Sequence, residues 1–313
     1  MTLTWQAMRA DDMTAWIDLR AAVEAVDKTA EHVGPDQFAE LMGDPDLGSV
    51  AGFDGDEMVA AGVVWSKSGQ TEVNAVVLEG HVRPSHRRRG IGRELLDRLA
   101  EVARAQHVER CPELSLLLKV PVHAVNVGHT ALVTAAGYVP ARWFFDMRVG
   151  LADEPPGLVI PDGLTAEPYS DGIDEELRIA NNEVFAEHWG SSPSDQPYWQ
   201  VHMTKNPAFV RDLCVVLRDD ASGEIAAHIM SYYTPAPTDH RELWIGQVGT
   251  RKAWRGRGIA TALLATVLRQ ARASAYETVG LAVDADNATG AFGVYERCGF
   301  AVVGRWTTYA LTP

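Results

Sequence analysis

Cysteine is scarce in this chain, cationic charge is outnumbered and long apolar runs are missing. The three cysteines, Cys111, Cys214 and Cys298, are too few and too scattered for a disulfide framework or a zinc site, so a reducing compartment is the default and no metal is expected. With 42 Asp and Glu against 28 Lys and Arg, the formal net charge is -14. That balance argues against a general nucleic-acid binder, because non-specific affinity for DNA comes from cationic neutralisation of phosphates. No apolar stretch is long enough to span a bilayer, and the first residues lack the basic-then-apolar order of a leader. The expectation is a cytoplasmic protein with no membrane partner. Two nucleotide fingerprints are also missing: neither glycine-rich turn carries the Gly-Lys-Ser/Thr of a P-loop, or the extra glycine and downstream acidic residue of a dinucleotide site.

What is present is a repeat. Arg87-Arg88-Arg89-Gly90-Ile91-Gly92 in the first half returns as Arg255-Gly256-Arg257-Gly258-Ile259-Ala260 in the second. Each copy follows a strand-like run and opens an amphipathic helical one. Such a turn lets backbone N–H groups close on an anion at the positive end of a helix dipole, which suits a pyrophosphate. The basic clusters at 87–89 and 251–257 therefore read as local anion sites.

With 46% hydrophobic residues, a chain of 313 can bury two cores. The first half reads as a strand at 3–9, a helix at 11–26 that Asp11 could cap, strands near 47–53, 58–66 and 73–82, a helix from 90 to about 106, a strand at 114–120 and a helix at 125–136 stopped by Gly137. Clustered Pro and Gly at 153–163 break both periodicities and mark a linker. The second half reads as strands at 165–169, 212–218, 224–233, 242–250 and 278–283, with helices at 175–186, 258–273 and 287–297. The expected domains are 1–152 and 164–313. The first carries extra residues, expected as a loop insertion around Arg104–Glu113.

The pattern Arg-x-x-Gly-x-Gly/Ala resembles the acetyl-CoA signature of the GNAT acetyltransferases, and the chain looks like two such domains in tandem. The resemblance implies an α/β (α+β) fold in which each domain has a mixed, mostly antiparallel central sheet flanked by helices, and an enzyme that transfers acetyl from acetyl-CoA to an amine. By the same resemblance, Gln247, Val248, Gly249 and Thr250 lie on a splayed strand before the second signature, with the N–H near Val248 polarising the acetyl carbonyl. Arg255, Gly256, Arg257, Gly258, Ile259 and Ala260 line the pyrophosphate turn, and Arg87, Arg88, Arg89, Gly90, Ile91 and Gly92 do so in the first half. Asp284-Ala285-Asp286-Asn287, followed by Tyr295 and Gly299-Phe300, resembles a second signature in which Asn287 meets the cofactor and Tyr295 protonates the departing thiolate. In the first half Asn126 matches Asn287 loosely, but Val133 stands where Tyr295 is, so that domain reads as a degenerate copy that binds CoA or uses Tyr138 or His129 as donor.

For the general base, Glu242 is the first candidate, with His228, His240 and Glu183 as alternatives; Trp244 stands where the family often has its glutamate. Glu183, Glu187, His188 and Trp189, in the segment after the first helix of the second domain, are candidates for recognising a cationic or sugar-bearing amine. Within the family the layout resembles mycothiol synthase, through its fused domains, Pro-rich joint and the Asn181-Asn182-x-x-Phe185-Ala186 element. The acceptor reads as a small-molecule amine. An antibiotic- or polyamine-modifying transferase and a non-catalytic CoA-binding sensor are the alternatives. The two copies make an internal pseudo-dimer, compatible with a monomer or a homodimer.

Overall fold

The computed structural model describes residues 3–44, 46–67, 69–189, 191–234, 240–286 and 290–313. The chain divides into two compact units: Met1–Trp143 with Arg305–Pro313, and Phe144–Gly304.

The N-terminal unit runs β1 (Thr4–Gln6), α1 (Met13–Asp27), α2 (Pro35–Gly43), β2 (Gly48–Asp54), β3 (Glu57–Ser66), β4 (Val73–Val82), α3 (Ile91–Arg110), β5 (Ser115–His123) and α4 (Val127–Ala135). There follow β6 (Val139–Gly150), β7 (Leu164–Pro168), α5 (Asp174–Phe185), α6 (Gln196–Trp199), β8 (Val215–Asp219), β9 (Ile225–Thr234), β10 (Glu242–Thr250), α7 (Ile259–Ala273), β11 (Thr278–Asp284), α8 (Ala291–Arg297) and β12 (Ala301–Leu311).

In the N-terminal unit the strand order is β1-β2-β3-β4-β5-β12, and in the C-terminal unit β7-β8-β9-β10-β11-β6. Among the registered pairs of described residues, β4 with β5 and β10 with β11 are parallel and the others antiparallel. Each sheet has a helix-covered core on both faces. Leu95, Leu96 and Leu99 of α3 pack on Val64, Val76 and Leu118, while Trp16, Leu19 and Val23 of α1 pack on Met58 and Ala61 from the other side. In the second unit Leu263, Leu264, Val267 and Leu268 of α7 meet Ile229, Leu243, Ile245 and Leu281, and Leu177 and Ala180 of α5 meet Val216 and Met230. Helical spacing of these residues against period-two spacing in the strands is what lets one stripe of each helix cover one face of a sheet.

Three features differ from the sequence reading. First, the closing strands are exchanged: Trp306–Leu311 of β12 pairs with β5 in the N-terminal unit, and Phe144–Gly150 of β6 pairs with β11 in the C-terminal one. The compact units therefore end at 143 and 304 rather than at the 153–163 linker, because each sheet is closed by a strand from the other side of that linker. Second, the linker packs on the C-terminal unit, a placement the sequence reading did not address: Arg269 Nη1 donates to Pro156 O at 2.9 Å, and Ile160 packs on the C-terminal core. Third, the extra residues extend a helix rather than a loop, since α3 has 20 residues and α7 has 15. Its last turn carries His107 and Arg110, favourable at a helix C-terminus, and Arg110 Nη1 donates to Asp46 O at 3.1 Å. At the first helix, Asp12 rather than Asp11 accepts the N–H of Arg9, at 2.8 Å.

Candidate functional site

The site in the C-terminal unit begins with a break in pairing. β10 keeps register with β11 only from Glu242 to Ile245, then leaves it, while β11 continues along β6 through Asp284. At the same place β10 gains one residue relative to β9, since Ile245 faces Ser231 but Gln247 faces Met230. The extra residue is Gly246, and a Cβ there would lie 2.6 Å from the Tyr232 ring. A bulge bends its strand and twists it away from its neighbour. The β11-facing edge of Gln247–Gly249 is thus left without a strand partner, a row of backbone groups open to an extended ligand.

The turn that follows is built alike in both units. Arg83 N–H donates to Val59 O at 2.8 Å and Arg251 N–H to Ala226 O at 2.9 Å. The next arginines, Arg87 and Arg255, each donate Nε to the carbonyl five residues back, Val82 and Thr250, at 3.0 Å. Arg89 and Arg257 each reach back to a carbonyl four residues earlier, at 3.0 and 3.2 Å. Gly90 and Gly258 cap α3 and α7 with φ of 85° and 74°, and Arg88 and Gly256 share the left-handed region at 63° and 78°. Ala262 N–H makes the first bond of α7, to Gly258 O, so the N–H groups before it have no acceptor inside the helix. A Cβ added at Gly256 or Gly258 would meet nothing within 4 Å.

These features fit a CoA pyrophosphate and pantetheine. One further observation points the same way: Thr250 Oγ1, at the end of β10, is buried without a hydrogen-bond partner. An orphaned hydroxyl between an open strand edge and an anion-binding turn is suited to a polar ligand atom.

Residues 5–123 and 175–300 both match the Acetyltransferase (GNAT) family model. The chain belongs to the GNAT acetyltransferase family. It is 28% identical over 239 residues to a mycothiol acetyltransferase of Tsukamurella paurometabola, covering 74% of this chain and 77% of that one. A GCN5-related N-acetyltransferase from Sphaerobacter thermophilus superposes with a TM-score of 0.80 at 25% identity, over 99% of this chain and 95% of that one. A tandem GNAT protein from the clavulanic acid biosynthesis pathway superposes with a TM-score of 0.73 at 19% identity, over 99% and 98% of the two chains, which shows the shared tandem fold.

Within this GNAT framework the expected site residues divide. Gln247, Val248, Gly249 and Thr250, with Arg255 to Ala260, form one continuous stretch of strand edge and turn. Tyr295 lies on α8, buried, and burial pushes its phenol up to about 12, so it holds its proton at neutral pH. Phe300 N–H donates to Tyr295 O and Tyr138 N–H to Val133 O, so Val133 occupies the same backbone place in the N-terminal unit. Asn287 lies outside the described residues. Asn126 and Arg87 are drawn together by one carboxylate: Asp27, at the end of α1, accepts from Arg87 Nη1 at 2.6 Å, Arg87 Nη2 at 2.8 Å and Asn126 Nδ2 at 3.1 Å.

Other expected residues are engaged elsewhere in the structure. Glu242 sits at the far end of β10, roughly 20 Å of strand from Val248 at about 3.3 Å per residue. It is buried and occupied, with Arg148 Nε at 2.7 Å, Arg148 Nη2 at 3.2 Å and Thr278 Oγ1 at 3.2 Å. His240 belongs to that same end, bonded to Thr278 at 2.9 Å and paired with Glu277 at 2.7 Å. His228 is fully buried, burial lowers its imidazole to about 4, and its Nε2 meets Asn181 Oδ1 at 3.1 Å. Its ring lies against the backbone of Gly249, where an added Cβ would come within 2.4 Å, so it supports β10 from behind. Glu183 pairs with Arg251 at 2.7 Å, and Glu187 lies 3.5 Å from Lys252 and 3.8 Å from Arg255; both face the turn at 251–258. His188 packs on Phe185 with ring centroids 4.8 Å apart, and Trp189 is partly exposed.

Arg83 escaped the sequence reading, and Arg251 entered it only as part of a basic cluster. The two tie each turn to the first helix of its unit, through Asp18 and Glu183, and also bond the strand behind. Gly246 was recognisable in principle, because an isolated glycine inside a strand pattern signals a bulge.

Proposed function

We propose that the chain is an acetyl-CoA-dependent N-acetyltransferase that acts on a primary amine of a small molecule, with its chemistry in the C-terminal unit. The observation that carries this reading is the parting of β10 from β11 at Gly246, directly ahead of the glycine turn. The open edge of Gln247–Gly249 would hold the pantetheine arm, and Arg255–Ala260 with the N-terminus of α7 would hold the pyrophosphate. When bound, acetyl-CoA supplies the activated acetyl group. The backbone N–H at Val248 donates to the carbonyl oxygen as negative charge develops there, where a preorganised donor is worth most. As the N–C bond forms and the C–S bond breaks, Tyr295 gives its hydroxyl proton to the leaving sulfur; the new amide nitrogen sheds a proton to solvent, and solvent returns one to Tyr295.

With Glu242 engaged by Arg148 and His228 enclosed, neither serves as base, and the amine arrives already neutral from solvent. Its rate therefore rises with pH until the amine's own ionisation is passed. The mycothiol acetyltransferase relatives support, as the finer reading, an amine on a thiol-bearing sugar conjugate. The test is mass-detected acetyl transfer to a panel comprising the mycothiol precursor, polyamines, aminoglycosides and peptide amino termini. One acetylated class fixes the acceptor; acetyl-CoA binding with no product from any amine overturns the reading in favour of a sensor.

A further inference from the structure

Each sheet parts beside its glycine turn. β4 keeps register with β5 from Val73 to Val77, opposite Ser115 to Lys119, and then leaves it, while β5 runs on along β12 to His123. The parted strands make two lips. One ends at Val82, whose carbonyl accepts from Arg87 Nε at 3.0 Å; the other continues past His123 to Asn126, the cap of α4.

In the N-terminal unit the two lips are tied together. Asp27, the last residue of α1, keeps only 9% of its side chain exposed. Its Oδ1 accepts from Arg87 Nη1 at 2.6 Å, and its Oδ2 accepts from Arg87 Nη2 at 2.8 Å and from Asn126 Nδ2 at 3.1 Å. Two groups held on one oxygen at those distances stand at most about 6 Å apart. A methylene chain threading between them needs about 7 to 8 Å, one van der Waals contact on each side. Asn126 is engaged at its other end as well, where Oδ1 accepts the N–H of His129 at 3.2 Å. Carboxylate, guanidinium and amide thus satisfy one another through charge-assisted hydrogen bonds.

The polar groups of the C-terminal unit are not closed off in this way. Arg255 Nε repeats the bond to the strand, to Thr250 O at 3.0 Å, but its guanidinium meets Glu187 at 3.8 Å, a carboxylate 70% exposed. Among the described residues, the buried side-chain atoms without a hydrogen-bond partner, His228 Nδ1 and Thr250 Oγ1, both lie in this unit. Because the Arg83 and Arg251 N–H bonds set the two turns in register, Thr250 corresponds to Val82, which has no polar side chain to satisfy. A cleft that takes a polar ligand keeps groups ready for it, whereas one that takes none has its groups paired internally.

We propose, resting on the acetyl-CoA reading of the C-terminal unit, that Asp27 stands in for the ligand in the N-terminal unit and closes its cleft to coenzyme A. The chain then holds one acetyl-CoA, and a single carboxylate sets that number.

The experiment counts coenzyme A bound to the full chain by native mass spectrometry and locates it by hydrogen exchange. The expected result is one coenzyme A per chain at ligand up to about 1 mM, with amide exchange slowed across 247–260 and unchanged across 78–92. Asp27→Ala, or Asp27→Asn where the first variant does not fold, should take up a second coenzyme A and slow exchange across 78–92. Two ligands on the unaltered chain, or protection of 78–92 in it, overturns the proposal without any variant. A folded Asp27 variant still limited to one overturns it as well. Protection missing from 247–260 tells instead against the reading of the C-terminal unit, and the gain at 78–92 in the Asp27 variant still decides the proposal.

Discussion

The two units share one turn and its arginines but differ in the side chains set around it. In both, the second arginine of the turn bonds the strand carbonyl five residues back, and a left-handed glycine opens the helix. In the N-terminal unit Asp27 clamps Arg87 and Asn126 together, whereas among the described residues the carboxylate paired with Arg255 is the exposed Glu187, at 3.8 Å. β10 carries a bulge where β4 keeps register with β3 throughout. Tyr295 becomes Val133, and Thr250 becomes Val82. An anion turn is made of backbone, which many side chains tolerate, so it persists in both copies. Proton transfer and charge recognition depend on single side chains, and there the copies part.

The largest test of that contrast is the Asp27 clamp. Asp27→Ala strands a partly buried guanidinium and should cost about 3 kcal/mol, read as a lower midpoint in denaturant. Glu187→Gln, in the looser and more exposed pair, should cost within about 1 kcal/mol; equal losses would erase the distinction. For chemistry, Tyr295→Phe should reduce turnover about 100-fold with acetyl-CoA affinity little changed, and Val133→Ala should leave turnover alone. Parallel loss of affinity would remove Tyr295 from the acid role.

Acid sensitivity is the next comparison. His228 takes up a proton near 6.5 when unfolded but only near 4 when folded, because burial disfavours the imidazolium. Its share of stability is complete above the unfolded value and is lost as pH falls from 6.5 toward 4, by about 3 kcal/mol at most. Burial lowers His129 in the N-terminal unit to about 4 as well, so both units soften in one window. His228→Gln should flatten the pH profile of the C-terminal unit alone, followed by hydrogen exchange of β9 and β10. The smallest effect is at Arg88, a non-glycine residue at φ 63° where the other copy has Gly256. Arg88→Gly should stabilise by up to about 1 kcal/mol in a thermal melt, relief of strain being offset by backbone entropy.

Periodicity sufficed for the elements around the turn, since strands such as β3, β4 and β10 alternate and α7 carries its apolar residues on one stripe. It did not find α2, whose nine residues follow Gly34 and open with a proline, or the closing strands β6 and β12. Among the expected site residues, those on the backbone of β10 and the turn fall on one continuous stretch, because the glycine spacing encodes their conformation. Glu242, Glu183 and Glu187 were chosen by residue type near the motif, and each proved to be engaged by an arginine or lysine or set beside one. Asp27 passed unnoticed because helical spacing in α1 shows which residues share a face, not that Arg87 and Asn126 from distant segments meet one of them there.

The doubled arginine–glycine turn located two units of like local conformation, and its resemblance to the GNAT signature pointed to the family, since local backbone conformation follows from nearby residues. Which strand closes which sheet, which carboxylates are occupied, and which parted strands a carboxylate bridges were decided by contacts between residues far apart in the chain. Those contacts depend on packing and charge pairing in three dimensions, which no local pattern records.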